Sequence, residues 1–427
     1  MDESKTISFY TLGCRLNQAE TAVLLASVEQ EGYRVVDFGQ PADIVVVNTC
    51  TVTEHGDADT RRIVTKINRE QGKASIALVG CQAQTQGEEL LTFPGVRWVI
   101  GNEIKMNLGK ILKSGSQSPQ LLVPPLQNKP FTIPFIETDP DHTRANLKIQ
   151  DGCDYFCSYC EIPYARGRAR SREFDDLIRG AAQLAAAGHR EIILTGINVG
   201  LYRDRGKTIE DVVRALEKIP NLARIRISSI ETTTIPGTLL AGMAAGGKLC
   251  RFLHVPLQSG SDRILQAMNR KYNASEYAHF VVRVHRTVPL ICFGTDVIVG
   301  FPGETEQDFN TTYDFLHSLP FAYFHVFSYS DRLHSCSKKF PQKVARESII
   351  ERSRRLRSLS VLKRQAYLGR FTGRTEQVLF EQQKDGWWTG FTDTYIRVKV
   401  KSSRNLHNQL VPVLLDRMDN QTMTGSL

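Results

Sequence analysis

Two stretches of alternating strand-like and helix-like segments, separated by a proline-rich interval, constrain this chain more than any other feature. They demand parallel sheets whose faces are covered by helices. In the first hundred residues SFYTL, DIVVVN, SIALVG and VRWVIG read as strands, with helical patterns through 17–31, 57–70, 85–91 and 103–112. The expectation is an open, mostly parallel α/β domain over 1–112. The interval 113–143 sets Pro119, Pro124, Pro125, Pro130, Pro134 and Pro140 among Ser and Gly and reads as a linker. From 144 the alternation resumes with NLKIQ, EIILTG, ARIRISS, RFLHVPL, ICFGTDVIV and YFHVFSY, and helices are expected near 174–187, 208–219, 236–245, 261–287 and 305–318. Six βα repeats are too few to close an eight-stranded barrel, so 144–342 is expected to form a partial barrel of six strands. A basic helical connection, 343–369, leads to 370–427, where EQVLFE, TGFTDTYIRVKV and QLVPVLL predict a small all-β, barrel-like domain.

Several function classes fall away on composition. The 427 residues are 41% hydrophobic and 23% charged, as in a soluble globular chain of several domains. No window approaches the roughly 20 apolar residues of a membrane span, and the N-terminus lacks the basic and apolar regions of a secretory signal. The cytoplasm is therefore the expected compartment, with no membrane partner. The charge is concentrated: residues 338–374 hold twelve Lys and Arg against two Glu, more than the +9 of the whole chain. Such a segment points to a polyanion, with nucleic acid first, although a solvated helix face would also carry it.

Six of the nine cysteines fall in a pattern. Cys14, Cys50 and Cys81 each lie just beyond an expected strand, in YTLGC, VVNTC and LVGC. Strand ends of a parallel sheet share one edge, and ligands of open α/β sheets bind at the carboxyl edge, so these thiols are expected to converge. Isolated buried cysteines would be the plain alternative. The second set, Cys153, Cys157 and Cys160, occupies DGCDYFCSYCEIPYARGR after the first strand of the partial barrel. Structural zinc takes four protein ligands, usually in two knuckles, and this chain has no second CxxC pair; His142 is the available fourth ligand for that reading. An iron-sulfur cluster on three thiolates suits the count better and leaves one iron open for substrate or cofactor.

The CxxxCxxC spacing on the first loop of a partial βα barrel, with Tyr159 before the last Cys, resembles the radical S-adenosylmethionine enzymes. Together with the three-Cys domain that precedes it, HVPLQSGSDRILQAMNRKY, DVIVGFPGETEQDF and the C-terminal β segment, it resembles the methylthiotransferases over essentially the whole chain. NTCTVTEHGDADTRR and KIQDGC are similar to the subfamily acting on threonylcarbamoyladenosine at position 37 of the tRNA anticodon loop, rather than to the isopentenyladenosine or ribosomal-protein subfamilies. The resemblance implies two [4Fe-4S] clusters, S-adenosylmethionine, a tRNA partner, an electron donor, a sulfur source and a TRAM-like RNA-binding domain over 370–427. It assigns Cys153, Cys157 and Cys160 to the cluster that cleaves S-adenosylmethionine into methionine and a deoxyadenosyl radical. Cys14, Cys50 and Cys81 go to the cluster that carries the sulfur, and a second S-adenosylmethionine donates the methyl group. An unactivated adenine C–H carbon offers no leaving group for polar substitution, which is why a radical is needed. The alternatives from other classes are a non-catalytic zinc or iron-sulfur RNA-binding protein, or an electron carrier. One departure from the family is DRLHSCSKKFP after HVFSYS, where a Gly-Thr-Ala-Ala type stretch is usual.

Smaller signals complete the expected site. Gly196 in LTGINVG, Ser229 and Glu231 in RISSIE, and Gln258 and Ser259 in PLQSG are candidates, with Tyr159, for contacts to S-adenosylmethionine. Each also has a reading as turn or packing chemistry. Arg166, Arg168, Arg170 and Arg172 alternate beside the second triad and are candidates for RNA phosphate. Trp387 and Trp388, near Phe391 and Tyr395, are candidates for base stacking, some of them serving the small core instead.

Overall fold

The computed structural model describes residues 4–115, 118–134 and 143–427. The N-terminal sheet has six strands, all parallel, in the order Arg34–Val35, Thr6–Thr11, Ile44–Thr49, Ser75–Gly80, Val96–Ile100 and Gln120–Leu122. Its central strand Ile44–Thr49 is buried at every position, as its unbroken IVVV run requires of a parallel strand covered on both faces. Apolar layers lie on both sides, one around Val45, Ile63, Leu78 and Leu90, the other around Leu24, Val46, Val79 and Leu108.

Two short edge strands were not expected. Gln120–Leu122 falls inside 113–143 and pairs with Trp98–Ile100, so that interval is not linker throughout. Further on, Phe131 bridges to Arg172 and the Ile133 amide donates to the Asp176 carboxylate at 3.1 Å. Three residues carry no readable period, and the open sheet edge supplies what their sequence does not. His142 lies outside the described residues.

The central region holds six parallel strands in two sheets: Arg144–Lys148, Glu191–Thr195 and Arg224–Ile227, then Phe252–His254, Cys292–Val299 and Tyr323–Ser328. Single pairings, Ile225 with Leu249 and Ser229 with His254, carry one sheet into the next and give the arc of a partial barrel. The expected helix over 261–287 is two helices, Asp262–Ala267 and Ala274–Thr287. Asn269, at φ 59°, ends the first, and a capping box of Asn273 with Glu276 starts the second.

The basic helix Arg346–Gly369 lies along the last barrel strand. There Ser360 Oγ accepts from the Phe324 amide and donates to its carbonyl, covering an otherwise open edge. The strands from Thr375 to Ser426 close a five-stranded barrel. Its core is continuous with Cys250, Phe252, Cys292 and Ala322 of the central region, so both of those cysteines serve packing. Among the described residues no helix is long and apolar enough to cross a membrane.

Candidate functional site

Cys14, Cys50 and Cys81 follow three strands that are neighbours in the sheet, Thr6–Thr11, Ile44–Thr49 and Ser75–Gly80, at one shared edge. The approach is tight. A Cβ on Gly13, at φ 89°, would stand 2.7 Å from Cys50 Sγ, and one on Gly80, at φ 102°, would stand 2.6 Å from Asn48 Oδ1. Burial and the neighbouring thiols push the Cys50 thiol up to about 12. Ligation requires thiolates, so this triad is costly to ionise unless a bound cation offsets the charge.

The side chain at the back of the triad is Arg166. It is 1% exposed and donates from Nε to Cys81 Sγ at 3.1 Å. Its Nη atoms reach Glu20 at 2.9 Å, Asp151 at 3.0 Å and Asn17 at 2.7 Å. Glu20, 0% exposed, also takes Lys105 at 2.6 Å and Lys148 at 2.7 Å, and Lys148 reaches Asp151 at 2.6 Å. Arg166, Lys105 and Lys148 thus enclose two carboxylates, with Arg170 also 3.6 Å from Asp151, and Arg166 turns its charge to the thiol of Cys81. This corrects the expectation that Arg166 binds RNA. Arg170, with 9% of its side chain exposed, is held by Glu103 at 2.8 Å, and Arg172 by Asp176 at 2.6 Å, so neither is free for phosphate. Arg168 alone of the four is exposed, facing Asp154 at 3.5 Å.

The second triad hangs on the loop after Arg144–Lys148. Gly152, at φ 69°, begins it, and a Cβ there would lie 2.0 Å from the Arg168 carbonyl oxygen. The loop is pinned by Cys153 N to Gly167 O (3.1 Å), Ser158 N to Met268 O (3.0 Å) and Asn269 Nδ2 to Phe156 O (3.0 Å). Burial pushes the Cys153 thiol up to about 11. The cation beside this triad is Arg270, in the turn between the two helices of 262–287, with Nη1 at 3.3 Å from Cys157 Sγ and Nη2 at 2.5 Å from Glu231. Among the described residues only His254, Asp296 and His325 bring three ligand atoms within 4.8 Å of one another. Neither cysteine triad closes to the spacing of a single tetrahedral ion, whose Zn–S bonds are about 2.3 Å. Three thiols held wider apart suit a polynuclear cluster.

A cavity of about 1030 Å³ joins the two halves. Cys14 and Arg15 form part of its wall, with Gly196, Ser228 and Ser229 at the ends of barrel strands, and His254, Asp296, Tyr323, His325, Arg357, Arg364 and Tyr395 around them. Gly196 is required by the packing of Gln150, which a Cβ would approach to 2.9 Å. Gln150 in turn accepts from the Ile197 and Asn198 amides and donates to the carbonyls of Asp151 and Gly152, tying this strand end to the Cys153 loop. Glu231 is engaged by Arg270, and burial still raises its carboxyl. Gln258 is buried at φ 74°, and Tyr159 packs on Ile264, Met268 and Phe301. Ser259 is fully buried and bonds to Thr312 at 3.1 Å, which corrects its expected contact with cofactor.

Trp388 is 6% exposed within the C-terminal barrel core, so it cannot stack on a base, whereas Trp387 is 38% exposed. The unusual 331–341 loop is a strap between the two triads. Arg332 reaches Asp57 at 2.8 Å and the Thr51 carbonyl beside Cys50, His334 bonds Glu161 next to Cys160, and Ser337 N donates to Ser158 O. Arg270, Gln150, Glu20 and the strap residues were missed in the sequence because each acts on a partner distant in the chain. The Asn-Arg turn at 269–270 was the one local signal.

Residues 147–316 match the Radical SAM superfamily and residues 6–101 match Uncharacterized protein family UPF0004. The chain is 34% identical over 420 residues to the threonylcarbamoyladenosine tRNA methylthiotransferase MtaB of Bacillus subtilis, covering 96% of this chain and 93% of that protein. It is 31% identical over 438 residues to the tRNA-2-methylthio-N(6)-dimethylallyladenosine synthase of Ehrlichia canis, covering 99% of each. Its fold is similar to that of the radical S-adenosylmethionine methyltransferase TsrM from Kitasatospora setae, solved with cobalamin and a [4Fe-4S] cluster, at a TM-score of 0.58 and 17% identity over 78% of this chain and 77% of that one. Matching both relatives at this identity over more than nine-tenths of each chain, the protein belongs to the radical SAM methylthiotransferase family.

Proposed function

We propose that this protein inserts sulfur and a methyl group at C2 of N6-threonylcarbamoyladenosine at position 37 of the tRNA anticodon loop. The observation that carries the reading is the shared cavity, with Cys14 on one wall and the strand ends at Gly196 and Ser229 on another. The similarity to the B. subtilis enzyme over nearly its full length supports the choice of base.

In this reading Cys153, Cys157 and Cys160 hold one [4Fe-4S] cluster and Cys14, Cys50 and Cys81 a second. When bound, they supply one-electron cleavage of S-adenosylmethionine and the sulfur to be transferred. The chain's own residues position these groups. Arg270 offsets the charge at Cys157 and fixes the Glu231 carboxylate beside it. Gln150 couples the Cys153 loop to the Gly196 strand end, and Arg166 sets the charge behind Cys81. Tyr159, Gly196, Ser229, Glu231 and Gln258 border the space for S-adenosylmethionine. Residues 1–112 carry the sulfur-bearing cluster, 144–342 the radical chemistry, and 370–427, with Arg168 and Trp387, the RNA. An external electron donor and a sulfur source complete the reaction in the cytoplasm.

The test is mass spectrometry of nucleosides from total tRNA of the source cells with and without the gene. Loss of methylthio-threonylcarbamoyladenosine with accumulation of its precursor is expected. Loss of the methylthio-dimethylallyl nucleoside instead would overturn the choice of base.

A further inference from the structure

The cavity has an unbalanced set of charges. Among the described residues its one carboxylate, Asp296, is taken up by two histidines, His254 Nε2 at 2.9 Å and His325 Nδ1 at 3.2 Å, which hold it well below the usual carboxylate range. Three guanidinium groups line the same space, Arg15, Arg357 and Arg364, and among the described residues none has a carboxylate within 4.0 Å. Their hydrogen bonds go to neutral groups. Arg15 donates to the Tyr395 hydroxyl, Arg364 to the Tyr395 carbonyl at 3.2 Å, and Arg357 to Ser353 Oγ at 3.1 Å and the Val326 carbonyl at 3.0 Å. Each guanidinium has five N–H donors in a planar fork, so several remain for a ligand.

Their placement is fixed from three directions. Arg357 and Arg364 are seven residues apart on Arg346–Gly369, two helical turns, and so share a face. Arg364 lies against the rings of Tyr323 and Tyr367. Arg15 begins the first helix of the N-terminal domain, immediately after Cys14, and meets Arg364 across Tyr395. A cluster of guanidinium groups without a carboxylate partner, half-buried Arg15 and Arg364 beside exposed Arg357, is built for an anionic oxygen pair.

We propose that Arg15, Arg357 and Arg364 form a recognition site for the carboxylate of the amino-acid group on N6 of the target adenine, selecting that base over one bearing an apolar alkenyl group. This rests on the base chosen above. A phosphate of the same RNA has the same binding chemistry. The position beside Cys14 and Gly196, on the cavity wall where the reacting base must sit, favours the carboxylate, since that group is carried on the base itself.

The test uses full-length protein reconstituted with iron and sulfide, and three anticodon stem-loop RNAs that differ only at N6: threonylcarbamoyl, an alkylcarbamoyl with the same linkage and no carboxylate, and dimethylallyl. Fluorescence anisotropy gives Kd for each. Wild type is expected to bind the first about tenfold more tightly than the second, the scale of charge-assisted hydrogen bonds. Arg357→Gln and Arg364→Gln should each lose most of that preference while binding the carboxylate-free RNA within about twofold of wild type. Arg364→Lys, which keeps the charge but not the fork, should fall between. Should Arg364→Gln fold poorly, Arg357→Gln, at an exposed position, decides alone. Equal weakening on all three RNAs assigns these arginines to phosphate and overturns the proposal, as does undiminished preference in the variants. Wild type that methylthiolates only the dimethylallyl RNA overturns the choice of base itself. That outcome is distinct from wild type acting on the threonylcarbamoyl RNA while the variants discriminate unchanged.

Discussion

Replacing Glu20 by Gln removes one charge without changing the shape of the side chain, and its effect follows from four contacts. Glu20 is fully buried and its two oxygens accept from Lys105, Lys148 and twice from Arg166, at 2.6–2.9 Å. With Gln in place, Lys148 and Arg166 are left to share Asp151, which Arg170 also approaches at 3.6 Å, and Lys105, also fully buried, keeps no carboxylate. Removing one partner of a buried ion pair costs about 3–5 kcal/mol, because the remaining charge is left in a poor solvent. Units of this size shift by about 2–4 °C per kcal/mol, so the melting temperature should fall by roughly 10 °C. The network ties the helix Arg15–Gln30 to the barrel strand Arg144–Lys148 and to the Cys153 loop, so iron retention after anaerobic reconstitution should fall with it. The double variant Glu20→Gln/Lys105→Met removes the orphaned ammonium and should recover part of the loss, which isolates the charge effect. A melting temperature within about 2 °C of wild type, where surface substitutions fall, would refute the claim that this network holds the two cluster domains together.

Gly152→Ala should prevent the Cys153 loop from forming, since its Cβ would overlap the Arg168 carbonyl; the visible absorption of one of the two clusters should disappear while the protein stays folded by circular dichroism. Arg332→Ala unties the strap from Asp57 and Thr51, and limited proteolysis should cut within 331–341 faster than in wild type. His285 is held neutral by burial and by Arg370, its ionisation lowered to about 4. The unfolded chain therefore takes up a proton near pH 6.5 that the folded chain refuses until about pH 4, so this residue lowers stability as pH falls through that window. His285→Gln should flatten the slope of melting temperature against pH between those limits, and an unchanged slope would remove His285 as its source.

The strands Thr6–Thr11, Ile44–Thr49 and Ser75–Gly80 were legible because each is a short run rich in β-branched, aromatic or other apolar residues, and the thiols of Cys14, Cys50 and Cys81 were legible because each follows such a run. The edge strands Arg34–Val35 and Gln120–Leu122 were not, since two or three residues carry no period and pairing alone makes them extended. Alternating arginines near a basic segment suggested phosphate contacts. Burial, which turned Arg166, Arg170 and Arg172 inward, is a property of neighbours far off in the chain.

The chain order of βα units and the two cysteine spacings are local facts, dictated by residue type and short-range pattern, and they determined the fold class and the family. Only the tertiary structure decided which charges face one another. Asp296 and His325 meet because two parallel strands place them in register, and His254 joins them through a third strand. Arg15 and Arg364 share Tyr395 although 349 positions separate them. Charges select partners by distance in space, which sequence separation does not encode; hydrophobic periodicity and strand-end position are written residue by residue along the chain.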